Sequence, residues 1–134
     1  MLHDEFFHVM RRIVQEHTSR WQEAGVPLTK PQYAVLRAID ERPGSEQSSV
    51  GVASSTTKAT LTEILGRLES SGLIDRRTDD VDRRKRYVDL TPAGRELLAS
   101  ARRQATRVNE SFLTHLDASE RTSLRSLLLR LEGE

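Results

Sequence analysis

The hydrophobic period of the chain changes abruptly at Gly72, and that change constrains the fold more than any other feature. Before it, Leu61, Ile64, Leu65 and Leu68 recur at i, i+3, i+4 and i+7, the spacing of one buried face on a helix from Lys58 to Ser71. After it, Leu73-Ile74-Asp75-Arg76-Arg77 and Arg86-Tyr87-Val88-Asp89-Leu90 alternate with the period of two that strands require. Between them, Thr78 to Lys85 hold only polar groups and Val81. Gly72 suits the left-handed residue that ends a helix. The expectation is a helix running directly into a hairpin with a charged tip.

The rest of the chain reads as helices. Residues 5–24 carry two apolar stripes, Phe6, Met10, Ile13 and His17 beside Phe7, Val14 and Trp21, and Gly25-Val26-Pro27 ends them. Thr29 with Gln32 three residues on has the form of a capping box, with Pro31 tolerated in the first turn. Val35, Leu36 and Ile39 supply the buried side of that helix, and Pro43-Gly44 stops it. Ser45 to Ala53 is a short helix at best, because Ser, Val and Gly are poor helix formers. Ser54 to Thr57 reads as a polar turn ending in an N-cap, which completes a helix-turn-helix. Thr91-Pro92 opens a long helix to about His115, striped by Leu97, Leu98, Ala101, Ala105, Val108 and Phe112. Asp117-x-x-Glu120 caps a last helix bearing Leu124, Leu127, Leu128 and Leu131.

Length and composition narrow the function. A chain of 134 residues is one ordinary domain with enough burial to fold without staples. It has no Cys, so disulfides, thiolate metal sites and cysteine nucleophiles are excluded. No apolar run approaches a membrane span, and Asp4, Glu5, Arg11 and Arg12 stand where a signal peptide would need apolar residues. A soluble, cytoplasmic protein is expected. The net charge of +1 conceals a local asymmetry. Of 21 basic residues 18 are Arg, and six cations (Arg76, Arg77, Arg83, Arg84, Lys85 and Arg86) fall within eleven residues against Asp79, Asp80 and Asp82. The planar donor fork of Arg suits phosphates and base edges, so the cluster points to nucleic acid; the alternative is a solvated loop.

The helix at 58–71 supports the first reading. Opposite its apolar stripe lie Ser55, Thr56, Ala59, Thr62, Glu63, Gly66 and Arg67. Small and polar residues let a helix enter a major groove about 12 Å wide. Thr hydroxyls can meet base edges, Ala59 a thymine methyl, and Arg67 guanine or phosphate, while Lys58 at the flank favours phosphate. Glu63 is discordant beside DNA; it reads a cytosine amino group or pairs with Arg67 at i+4, and the pairing is favoured.

Leu28-Thr29 with Gln32, Val35 and Leu36, then Leu68-Glu69-Ser70-Ser71-Gly72-Leu73-Ile74, Asp82-Arg83-Arg84 and Leu90-Thr91-Pro92-Ala93-Gly94, resemble the winged-helix MarR family of bacterial transcription regulators. The motifs cover about residues 28–95. The resemblance implies a mainly α fold with a small β-hairpin wing: a single domain over 1–134, its DNA-binding part at about 28–91 and dimerisation helices at about 1–25 and 92–134. It implies a homodimer on a pseudo-palindromic operator, with the recognition helix in the major groove and the wing in the minor groove. The DNA-binding residues would be Ser55, Thr56, Lys58, Ala59, Thr62, Glu63 and Arg67 on the helix, and Asp82, Arg83, Arg84, Lys85 and Arg86 on the wing. Asp82 and Arg84 match a wing motif in which the acid orients the basic side chains. One stretch departs from the pattern: Val50-Gly51 stands where a Leu-Ala pair is usual. A helical Gly costs about 1 kcal/mol against Ala. It either admits closer packing against residues 61–65 or marks a marginal helix.

The resemblance also implies a small effector, often aromatic and anionic, in a crevice that His17, Trp21, Tyr33 and Arg37 would reach; the alternative is that Trp21 and Tyr33 are packing residues. The expected function is a ligand-relieved repressor with no catalytic residues, no cofactor and no metal. Two rivals remain. His3, Asp4, Glu5 and His8 on one helical turn would make a metal-responsive regulator of the same fold. A winged helix used only for protein contacts is the other, against which the five arginines of the wing argue.

Overall fold

The computed structural model describes all 134 residues. After a short 3-10 turn at Leu2–Asp4 the order is α1 (Phe6–Glu23), α2 (Lys30–Glu41), β1 (Ser45–Glu46), α3 (Gln47–Ala53), α4 (Lys58–Ser70), β2 (Ile74–Thr78), β3 (Arg86–Leu90), α5 (Pro92–Phe112) and α6 (Ala118–Leu131). The fold class is as expected, mainly helical with a small antiparallel sheet of order β1-β3-β2. The chain forms two compact units, Gly25–Gln104 and the pair of segments Met1–Ala24 with Ala105–Glu134.

In the unit 25–104 the helix-turn-helix surrounds a core of Val35, Leu36, Ile39, Val50, Leu61, Leu65 and Leu68, closed by Ile74 and Val88 of the sheet and Leu98 and Ala101 of α5. Each fully buried aliphatic side chain contributes about 1.5–3 kcal/mol. The caps are those the sequence calls for. Thr29 Oγ1 accepts from Gln32 N at 3.2 Å while Gln32 Oε1 accepts from Thr29 N at 3.0 Å. Thr57 caps α4 through Thr60 N, and the preceding turn holds Ser55 in the left-handed region at φ +55°.

The hairpin carries a third strand that the sequence does not announce. Ser45 and Glu46 pair with Val88 and Tyr87 of β3. Two polar residues have no period, so only the partner strand makes them β. Gly51 resolves the two readings of α3 in favour of close packing: a Cβ there would stand 3.1 Å from Leu61 Cδ2. The Leu-Thr-x-x-Gly motif has a steric explanation as well. Thr91 Oγ1 donates to Gly72 O at 2.7 Å and accepts from Gly94 N at 3.0 Å, while Thr91 N donates to Leu73 O. A Cβ on Gly94 would lie 2.0 Å from Leu73 O, so no side chain fits where α5 leaves the sheet.

In the other unit, His17 Nε2 and Asn109 Oδ1 share a hydrogen bond of 2.7 Å, and the His17 ring meets Phe112 edge-on at 5.6 Å. Arg20 lies over Phe112 at 4.7 Å. Arg121 ties α6 down through Glu110 and the carbonyls of Leu113 and Leu116. Phe6, Phe7, Ile13 and Val14 of α1 and Leu124, Leu127, Leu128 and Leu131 of α6 remain exposed. The four residues named as a possible metal cluster are not brought together. Glu5 is extended and precedes α1, so His3, Asp4, Glu5 and His8 do not share one helical turn. His3 pairs only with Asp4, and no group of three His, Asp or Glu side chains is placed to hold a metal ion.

Candidate nucleic-acid interface

The site is built by one helix with a core and one loop without. Leu61, Ile64, Leu65 and Leu68 are all buried, which fixes the opposite face of α4 in water. On it Ser55, Lys58, Ala59, Thr62, Glu63 and Arg67 are exposed, and Thr56 and Gly66 partly so. Thr62 Oγ1 donates to Lys58 O within the helix. Glu63 Oε1 accepts from Arg67 Nη2 at 3.0 Å, which is the pairing the spacing favours. Exposed pairs of this kind add little stability, so its consequence is the direction of Arg67.

The loop from Asp79 to Lys85 takes its shape from two carboxylates. Asp79 accepts from Val81 N at 2.7 Å, Asp82 N at 3.1 Å and Tyr87 Oη at 2.9 Å, and its own N–H donates to Lys85 O. The N–H groups of Asp82 and Val81, then the Tyr87 hydroxyl, hold the Asp79 carboxyl below its ordinary pKa. Asp82 accepts from Nε and Nη2 of Arg84, both at 3.1 Å, and from Arg84 N. That guanidinium holds the Asp82 carboxyl low as well. Arg84 is 91% exposed yet its head group is oriented by a two-point contact. Arg83, Lys85 and Arg86 are exposed beside it.

Not every cation of the cluster belongs to this surface. Arg76 is only 16% exposed and turns inward to Glu69 at 3.0 Å and Gln47 at 3.4 Å, tying β2 to the end of α4 and the start of α3. Arg77 lies over the Tyr87 ring at 4.5 Å. Arg84 and Arg86 remain outward and, with Thr56, Lys58 and Thr62 of the turn and α4 and with Glu46 and Val52, line a cleft of about 760 Å³. Asp79 was missed from sequence, where Asp79, Asp80 and Asp82 look alike. Its one signal is that an Asp opening a polar tip commonly accepts from the backbone two residues on.

Comparison with known proteins identifies the family. The MarR family model matches residues 28–85. The transcriptional regulator HosA of Escherichia coli is 44% identical over 130 residues, 97% of this chain and 96% of that protein. The chain belongs to the MarR family. Solved members share the fold. PcaV from Streptomyces coelicolor in complex with its natural ligand superposes with TM-score 0.93 at 32% identity, covering 99% of this chain and 95% of that one. BpsR from Bordetella bronchiseptica, whose DNA binding is regulated by 6-hydroxynicotinic acid, gives 0.85 at 30% identity over 93% and 96%. The repressor CouR bound to a 23-mer DNA duplex gives 0.88 at 27% identity over 98% and 94%. This MarR-family chain is a transcriptional regulator by kinship, and no helix in it is long and apolar enough to cross a membrane.

The four effector residues divide between the units. His17 and Trp21 are tilted ring neighbours with centroids 6.0 Å apart. In α2, Arg37 Nη1 donates to Tyr33 Oη at 3.4 Å and Nη2 to Glu41 at 3.2 Å. Bonding to Tyr33 raises the Arg37 pKa further. Arg37 Nε is buried without a hydrogen-bond acceptor.

Proposed function

We propose that this protein is a sequence-specific double-stranded DNA-binding repressor that acts in the cytoplasm as a homodimer. The observation that carries the reading is the cleft between α4 and the hairpin, lined by the hydroxyls of Thr56 and Thr62, by Lys58 and Arg86, and by Arg84, whose head group Asp82 orients. In the proposed division, Ser55, Thr56, Ala59, Thr62 and Arg67 face base edges and Lys58 a phosphate, with Glu63 steering Arg67. The loop cations Arg83, Arg84, Lys85 and Arg86 meet phosphates and the electronegative minor groove, and Asp82 orders them. The exposed rows of α1 and α6 fit burial against a second copy, since patches of that kind mark interfaces. Gel shift on random duplex at low salt, followed by a salt titration, tests the DNA reading. A protein-only module would show no salt-dependent binding.

Relief by a small aromatic anion is part of the same proposal. Arg37, with one donor unspent beside Tyr33, suits a carboxylate with an aromatic body. Regulation of BpsR by 6-hydroxynicotinic acid supports that class of effector. Titration with benzoate and 6-hydroxynicotinic acid should release bound duplex, and Arg37→Ala should abolish that response.

A further inference from the structure

Two large apolar side chains of the unit 25–104 stand out in water, Val52 at 83% and Val81 at 97% exposed; every other strongly exposed one lies at 1–14 or 124–131. They differ in setting. Val81 is at the tip of the hairpin loop, whereas Val52 lies on α3 inside the cleft that Thr56, Lys58, Thr62 and Arg84 line. Its neighbours explain why it is held there. Val50 and Gly51 are buried, and Gly51 brings α3 so close to Leu61 that α3 cannot roll to hide Val52. A β-branched apolar residue at an exposed helical position adds nothing to the fold and has lower helix propensity than Ala. The rest of the cleft mixes the cations Lys58, Arg84 and Arg86 and the hydroxyls of Thr56 and Thr62 with one carboxylate, Glu46.

We propose that Val52 is a specificity-determining residue that packs against the C5-methyl group of a thymine in the major groove. This rests on the DNA reading above. Of the four bases only thymine presents a methyl group in that groove, so an apolar side chain beside the recognition helix discriminates without a hydrogen bond. The choice of thymine methyl over deoxyribose follows from position: Val52 stands in the last turn of α3, its carbonyl accepting from the N–H of Ser55 at 3.1 Å in the turn that leads into α4.

The test starts from duplexes that the protein itself selects. The wild type is presented with a randomised 30-base-pair library, and each thymine of the resulting consensus is then replaced by deoxyuridine, which removes only the methyl. Substitution in one half-site should weaken wild-type binding about fourfold, the value of one buried methyl group, and substitution in both half-sites about fifteenfold. Val52→Ala should weaken binding to the thymine duplex and should no longer distinguish thymine from deoxyuridine at that position. Its melting temperature should match the wild type, because the site is exposed and Ala favours the helix. A consensus without such a thymine, or an undiminished deoxyuridine penalty in Val52→Ala, would overturn the proposal. Failure of the wild type to bind any duplex would instead overturn the DNA reading, and the two outcomes are separable in one experiment.

Discussion

Helix α4 and the loop at 79–85 present similar exposed groups but are positioned by different physics. The outward face of α4 is a by-product of burial: four apolar residues are driven inward, and Thr62 and Arg67 point out because nothing else is possible. The loop has no core, and its one apolar residue, Val81, is in water. Its shape comes from Asp79 and Asp82, which accept from the backbone and from Arg84. Hydrophobic burial is non-directional and sums over many contacts, whereas a carboxylate hydrogen bond is directional and local. A polar element so held can be disordered by one substitution without touching the fold.

The largest expected effect breaks that comparison at its root. Leu65→Ala should cost about 2–5 kcal/mol of stability and remove both elements together. Asp79→Ala should leave the melting transition nearly unchanged while the amides of Val81 and Asp82 lose their distinct shifts. Equal losses of melting temperature in the two variants would refute the distinction. Next in size, Thr62→Ala or Arg67→Ala should cost about 1–3 kcal/mol per disrupted base contact on a selected duplex, with little effect on random DNA. By contrast, Arg84→Ala should weaken all duplexes alike and reduce the salt dependence by about one phosphate per subunit. A sequence-dependent loss in Arg84→Ala would assign base reading to the loop.

The smallest effect is one of pH. Because the Asp79 and Asp82 carboxyls are held below their ordinary value in the folded loop, the order they provide is complete above that value. It is lost only as pH falls through the depressed folded values. The amide shifts of Val81 and Asp82 should therefore be flat from pH 7 to 5 and move only below about pH 4, the ordinary Asp range. Movement near neutrality would implicate another group.

Legibility in the sequence followed the same division. Elements made by periodicity and caps, such as α2 with Thr29 and Gln32 or α6 with Asp117 and Glu120, were readable because their signals are local. So was the polar face of α4, which follows from the position of the buried one. Strand β1 was not readable, because Ser45 and Glu46 become a strand only through Val88 and Tyr87. The basic cluster misled in part: charge counts Arg76 with Arg84, but the first is spent on Glu69 and Gln47. Which two of three nearby aspartates shape the loop depends on turn geometry, and composition carries none of that.

The central claim is that the loop cations act through their order and not merely their charge, and Asp82→Ala tests it most directly. The substitution removes a negative charge beside the proposed DNA path, so electrostatics alone predicts tighter binding. It also releases Arg84 from its two-point contact, and a loose Arg must lose conformational entropy before it can bind. Dissociation constants of the wild type and Asp82→Ala for the same selected duplex, measured at one ionic strength, decide between them. Weaker binding by the variant despite its more favourable charge is the predicted result. Tighter binding would show that the loop is only a diffuse positive field.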